Sequence, residues 1–148
     1  MFRMGKTMKY LKTGLCIFIA FVFIQSLFFK FTGSPETEFI FGTLGEWSGL
    51  AWFGQYGAYM VGIAELIASI LLFTRLHALG ALMAVGTMTG AIFFHLFTPI
   101  GVAQPAFNEV GEVVGNDGGT LFVMACLVWL SAAFLLYQTR KGDSEQVD

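Results

Sequence analysis

The chain has 148 residues, of which 56% are hydrophobic, 16% aromatic and only 12% charged, with a mean hydropathy of +0.72. Those values lie outside the soluble globular range and leave no room for a separate soluble domain, so an all-α membrane protein forming one domain over residues 1–148 is expected. A formal net charge of −2, without any basic face interleaved with aromatics, makes nucleic acid a poor partner and the lipid bilayer the first one to consider.

The basic start, with a tail over residues 1–12, leads into a first apolar stretch at about 15–31, LCIFIAFVFIQSLFFKF. Together they resemble a signal peptide, but no small-x-small cleavage site follows and the run is too long for a signal core, so a retained first helix is expected. Residues 33–58 are too apolar for a water-exposed linker, and Trp47, Trp52, Phe53 and Tyr56 suit the headgroup region, which predicts an interfacial or re-entrant aromatic segment in the first outward loop. SPET reads as a helix start, with Ser34 as N-cap, Pro35 at the first helical position and acids in the first turn. A second apolar stretch at about 57–74 and a third at 78–98 are joined by the short TRLHA turn, which makes them antiparallel neighbours. The loop from about Pro99 to Gly119 is rich in glycine and acids, with GNDGG as a turn, and precedes a fourth stretch at 120–137 and a solvated tail at 139–148.

Each stretch can cross about 30 Å of hydrocarbon at about 1.5 Å per residue, the first if it begins a turn earlier and the second if it reaches back into the Trp52–Gly57 region. Lipid offers the backbone no hydrogen-bond partner, so the expectation is a four-transmembrane-helix bundle. One side of it collects Arg3, Lys6, Lys9, Lys12, Arg75, Arg140 and Lys141 and leaves Lys30 on the other, so both termini are expected to be cytoplasmic and the aromatic segment periplasmic.

The residue that most needs explaining is Glu65, at the centre of MVGIAELIASILL. A carboxylate at mid-helix costs about 2.5–3.5 kcal/mol on insertion scales, so it should face protein or a water-filled cavity. Helical phase puts Gly62, Ala68 and Ser69 on its face and Ile63, Ile67 and Ile70 on the opposite one, which predicts that the small face packs and the isoleucine face meets lipid. At a similar depth in the outer half of the membrane lie Gln25 and Lys30 of the first span and His95 of the third. Each has a simpler reading: Lys30 snorkels from its helix end or pairs with Glu65, His95 anchors at the interface or donates to a backbone carbonyl, and Gln25 binds helices together. Glu65 either exchanges protons or serves as a structural ion pair or protonated donor.

Other motifs are weaker. Gly86-x-x-x-Gly90, GTMTG, permits close helix approach, with core packing as its expected use, and lies about 140–180° around the helix from His95. Cys16 and Cys126 differ too much in depth for a disulfide and read as small buried hydrophobes. His77 and His95 sit about 27 Å apart on one helix and cannot ligate one iron, and no metal-ligand cluster is seen, so no metal and no covalently bound cofactor is expected.

The basic N-terminus, the four-span layout, LFFKFTG at the close of span one and above all GIAELIASILLFTRLHALGALMA resemble the DoxX family of small bacterial inner-membrane proteins, over about residues 13–137. The resemblance implies a multi-pass protein of the bacterial inner membrane tied to quinol oxidase, thiosulfate:quinone oxidoreductase or oxidative-stress complexes, and directs attention to Glu65 and, more loosely, Lys30. Three functions follow. The first is an accessory component of a quinone-linked respiratory complex, at most a subunit without a redox centre: Glu65 and His95 would exchange protons with a quinol, Gln25 and Lys30 would join them in binding it, and Phe28, Phe29, Phe93 and Phe94 would contact the ring. The second is a non-catalytic scaffold or assembly factor that binds other membrane proteins or a second copy of itself. The third is a small proton-coupled exporter; such exporters carry their glutamate in the first helix, where this chain offers Gln25, so it ranks last.

Overall fold

The computed structural model of the chain describes residues 2–144, with side chains over 5–141, and residues 145–148 of the expected tail lie outside it. Its elements are α1 (Phe2–Thr32), α2 (Pro35–Ser48), α3 (Ala51–Leu71), α4 (His77–Phe97), β1 (Pro105–Phe107), β2 (Val113–Asn116) and α5 (Thr120–Ser144). Three helical segments are long and apolar enough to cross a membrane, Gly5–Thr32, His77–Phe97 and Thr120–Lys141, which marks a membrane protein. The second expected span corresponds to α3, which is not one of the three: Gln55, Glu65, Ser69 and its glycines dilute its apolar character. Helix boundaries also move outward. No proline interrupts residues 2–14, and the isolated Gly5 and Gly14 are tolerated within a helix, so α1 starts far before residue 15, and α5 runs beyond 137 to Ser144.

The aromatic loop is an ordered helix. Ser34 has extended φ/ψ of −62° and 151° and its Oγ accepts the Thr37 N–H at 3.3 Å, Pro35 opens α2, and Gly49 ends it in the left-handed region at φ +70°. Thr37, Phe41, Leu44 and Gly45 are its buried residues, a spacing of one helical face, and that face packs on α3. The approach is closest at Gly45, where an added Cβ would lie 2.7 Å from the Gly54 Cα.

The four long helices pack in a ring, α1 on α3, α3 on α4, α4 on α5 and α5 on α1. At the end where α1 begins and α5 finishes the ring is filled: Ile19, Ala68, Leu72, Ala81, Ala84, Val128, Ala132 and Leu135 form one buried cluster. Gly80 makes this possible, because a Cβ there would sit 2.8 Å from the Leu72 backbone nitrogen and 3.0 Å from the Ala68 carbonyl oxygen. The expected packing role of Gly86 and Gly90 is not what the structure shows: an added Cβ at either meets nothing within 4 Å. The difference lies in what each meets: Gly80 lies against the α3 backbone at the hairpin, whereas Gly86 and Gly90 border the open space of a cavity.

The fold is not wholly helical. The loop between α4 and α5 carries an antiparallel β1–β2 pair with an irregularity between Ala106 and Phe107. Short strands flanked by glycine and asparagine turns give too little periodicity to be read from sequence. The GNDGG turn is present, with Gly118 and Gly119 at φ +61° and +83°. Asp117 organises it: Oδ1 accepts the Gln104 and Gly119 N–H groups, both at 2.8 Å, and Oδ2 accepts the Leu121 N–H at 3.0 Å at the start of α5. Burial works to raise the Asp117 pKa, but the donors on Leu121, Gln104 and Gly119 outweigh it and hold the carboxyl below its ordinary 3.8. A depressed folded-state value means stability that is present above the ordinary aspartate range and lost as pH falls through the folded value. Asp117→Ala should therefore cost about 1 kcal/mol at neutral pH, as a lost helix cap does, and should flatten the fall in melting temperature below about pH 4. Equal acid sensitivity in both proteins would count against this role.

Candidate functional site

Where the lower half of the helix ring is filled, the upper half is hollow. A cavity of about 870 Å³ lies between α1, α3, α4 and α5 under the roof of α2. The hollow exists because the inward residues there are small or set apart: Ala64 on α3, Gly86, Gly90 and Ala91 on α4 and Ala125 on α5 all line it. An aromatic run closes the top, with Phe41 against Phe53 at 5.9 Å and Phe53 against Phe94 at 6.1 Å between ring centres.

Gln25, Lys30, Glu65 and His95 all line this one cavity. Glu65 faces inward as its phase requires: Gly62, Ala68 and Ser69 are buried beside it, and Ile63, Ile67 and Ile70 are exposed on the outer face. Lys30 does not snorkel. Its Nζ lies 2.7 Å from Glu65 Oε2, with side-chain exposures of 13% and 3%, and it also donates to Ser26 Oγ one helical turn back. The pair forms because the two helices meet closely at Gly62, where a Cβ would touch Leu27 Cδ2 at 3.1 Å, and this holds residue 30 beside residue 65.

His95 is buried and its Nδ1 lies 2.7 Å from the Gly101 carbonyl oxygen, so Nδ1 carries the proton and donates it. Gln104 donates from Nε2 to the Ile100 and Gly101 carbonyls, both at 2.9 Å, and fixes that loop in place. The other ring nitrogen, Nε2, makes no hydrogen bond among the described residues and, with Nδ1 as the donor, is an acceptor in the neutral tautomer. Phe122 holds the ring edge-on at 5.6 Å.

Of the four aromatics expected to contact a ligand ring, Phe29 and Phe94 line the cavity; Phe28 and Phe93 do not, and are 66% and 46% exposed. Adjacent residues on a helix point about 100° apart, so only one of each pair can face in. Ser26, Thr37, Phe41 and Met88 complete the wall and went unnoticed in the sequence. Ser26 had an available signal, lying four residues before Lys30 on the same face. Thr37 and Phe41 had none, because only tertiary packing folds α2 back over the ring.

Six of the cavity's lining residues are exposed: Gln25 and Phe29 on α1, Met60 on α3, Gly86 on α4, and Thr120 and Leu121 on α5.

The class defined by these features is a helical membrane protein with a buried ion pair on the wall of a largely apolar cavity. Comparison with protein-family models, with curated proteins and with solved structures returns no match.

Proposed function

We propose that this chain is a DoxX-like, four-span protein of the bacterial inner membrane, with both tails cytoplasmic, that binds a quinone or quinol as an accessory component of a respiratory or redox complex. The observation that supports it is the Lys30–Glu65 pair set in the wall of a mostly apolar cavity between the helices. A ligand that fills those apolar walls is soluble in lipid, and one held at the pair must carry hydrogen-bonding groups. A quinone headgroup meets both requirements: aromatic walls from Phe29 and Phe94 flank the polar end, and the volume lies within the usual range for small-molecule sites.

A bound quinone supplies two-electron, two-proton chemistry, with the electrons belonging to a partner subunit. The chain's own residues do the binding and handle protons. Lys30 Nζ donates to a carbonyl oxygen and Glu65 accepts from a hydroxyl; each does so by sharing its present partner. His95 Nε2 is an acceptor whose orientation the Gly101 carbonyl holds. Gln25 lines the cavity from α1, where it can bond a second polar group. Other membrane proteins or a second copy of the chain are the expected partners.

The test is native mass spectrometry with lipid extraction on wild type and Glu65→Gln purified in mild detergent. A quinone is expected to co-purify stoichiometrically with the wild type and to bind the variant roughly ten- to hundredfold more weakly, the range for losing a hydrogen bond to a charged group. Absence of quinone from both, with the same protein partner retained, would replace this reading with that of a scaffold.

A further inference from the structure

A second, smaller cavity of about 190 Å³ lies at the opposite end of the ring and shares no lining residue with the first. Its polar walls are Lys12 and Thr13 of α1, His77 at the start of α4 and Thr139 of α5; Leu72, Phe73 and Leu135 form its apolar side. Lys12 and His77 make no ion pair or hydrogen bond among the described residues. An unpaired cation in a cleft between helices, backed by a second nitrogen base and two hydroxyls, is a site for an anion.

We infer that this cavity binds the phosphate group of an anionic phospholipid. Three observations point to phosphate borne on a lipid. Two of its lining residues stand at the ends of helical segments able to cross a membrane, His77 at the start of His77–Phe97 and Thr139 near the close of Thr120–Lys141. Lys9, three residues before Lys12, and Arg75, two before His77, add positive charge close by in the chain, and no described side chain at this end of the ring is a carboxylate; Asp143, Glu145 and Asp148 lie beyond the described side chains. The apolar wall also continues outward, through Phe73 at 57% and Leu76 at 56% exposure, onto the surface where acyl chains would run. Lys12 would pair with the phosphodiester, Thr13 would donate its hydroxyl, and His77 would donate a ring N–H. The volume suits a headgroup and its glycerol rather than a ring the size of the larger cavity's ligand.

The experiment is native mass spectrometry of the full chain titrated in detergent with phosphatidylglycerol or phosphatidylcholine, on wild type, Lys12→Gln, His77→Gln and Lys6→Gln. The wild type should retain one phosphatidylglycerol in preference to phosphatidylcholine. Lys12→Gln should weaken that retention by about fivefold, the usual effect of one basic residue near an anionic headgroup, and His77→Gln by less. Lys6→Gln removes the same charge outside the cavity and should change little. His77 is exposed at the start of α4 and Lys12 is half-buried with a side chain long enough for glutamine to replace it in place, so folding should be unaffected, which the far-UV spectrum will check. A separate titration with inorganic phosphate identifies the source: no displacement at millimolar phosphate supports the lipid, whereas phosphate that binds alone and displaces the lipid supports an anion site for free phosphate. Equal retention by Lys12→Gln and wild type, or an equal loss in Lys6→Gln, would overturn the site.

Discussion

Lys30→Ala is expected to destabilise the folded protein by about 3–5 kcal/mol, the usual result of stripping one partner from a buried ion pair. Glu65 is 3% exposed on its side chain, and its carboxylate has the Lys30 ammonium 2.7 Å away. Without it, the carboxylate must bind a proton or draw water into the cavity, and both cost free energy. The double variant Lys30→Met, Glu65→Leu should recover most of the loss and could exceed wild type by about 1–4 kcal/mol, because an apolar pair avoids the desolvation that the ions suffer. Thermal unfolding followed by tryptophan emission in a mild detergent measures both. A melting temperature for Lys30→Ala equal to that of wild type would show that Lys30 is solvated at the helix end and that the pair contributes nothing. If the double variant is as stable as wild type yet fails to retain quinone, the pair is kept for binding at the expense of stability, as the proposed function requires.

The second large effect separates two glycines on α4. Gly80→Ala should destabilise by about 1–3 kcal/mol, while Gly86→Ala should stabilise by about 0.5–1 kcal/mol. At Gly80 the new methyl would meet backbone atoms of α3 at 2.8–3.0 Å, and backbone cannot rotate aside as a side chain can. The two helices must then separate at the hairpin, and the buried contacts around Ala68, Leu72 and Ala81 would loosen with them. At Gly86 the methyl would enter open space, so only the helix preference of alanine over glycine remains. Paired melting curves decide the matter. The reverse order, with Gly86→Ala the more damaging, would mean that the GTMTG face packs against another helix, such as one from a second copy of the chain.

Much of this was accessible before any coordinates, because the physics involved is local. The apolar excess pointed to a membrane protein, and three helices do have the length and composition to span one. Ser34, Pro35 and the acids after them specified the start of α2, since an N-cap bonds within its own turn. The 3.6-residue period told which side of α3 is buried, because Glu65 and its small neighbours share a face that the isoleucines do not.

What sequence alone left open depended on the partner brought to each residue by the rest of the chain. Lys30 could snorkel or pair, and the Gly62 contact between α1 and α3 decided for pairing. Small residues such as Gly80, Gly86 and Gly90 are alike in a helix pattern, and only what each meets in the fold makes one a contact and the others a cavity wall. The β1–β2 pair, the Gly101 carbonyl that orients His95, and the roof built by Thr37 and Phe41 rest on contacts between segments distant in the chain or on irregular turns. Periodicity determines which way a side chain faces; what it meets there is settled by packing between helices.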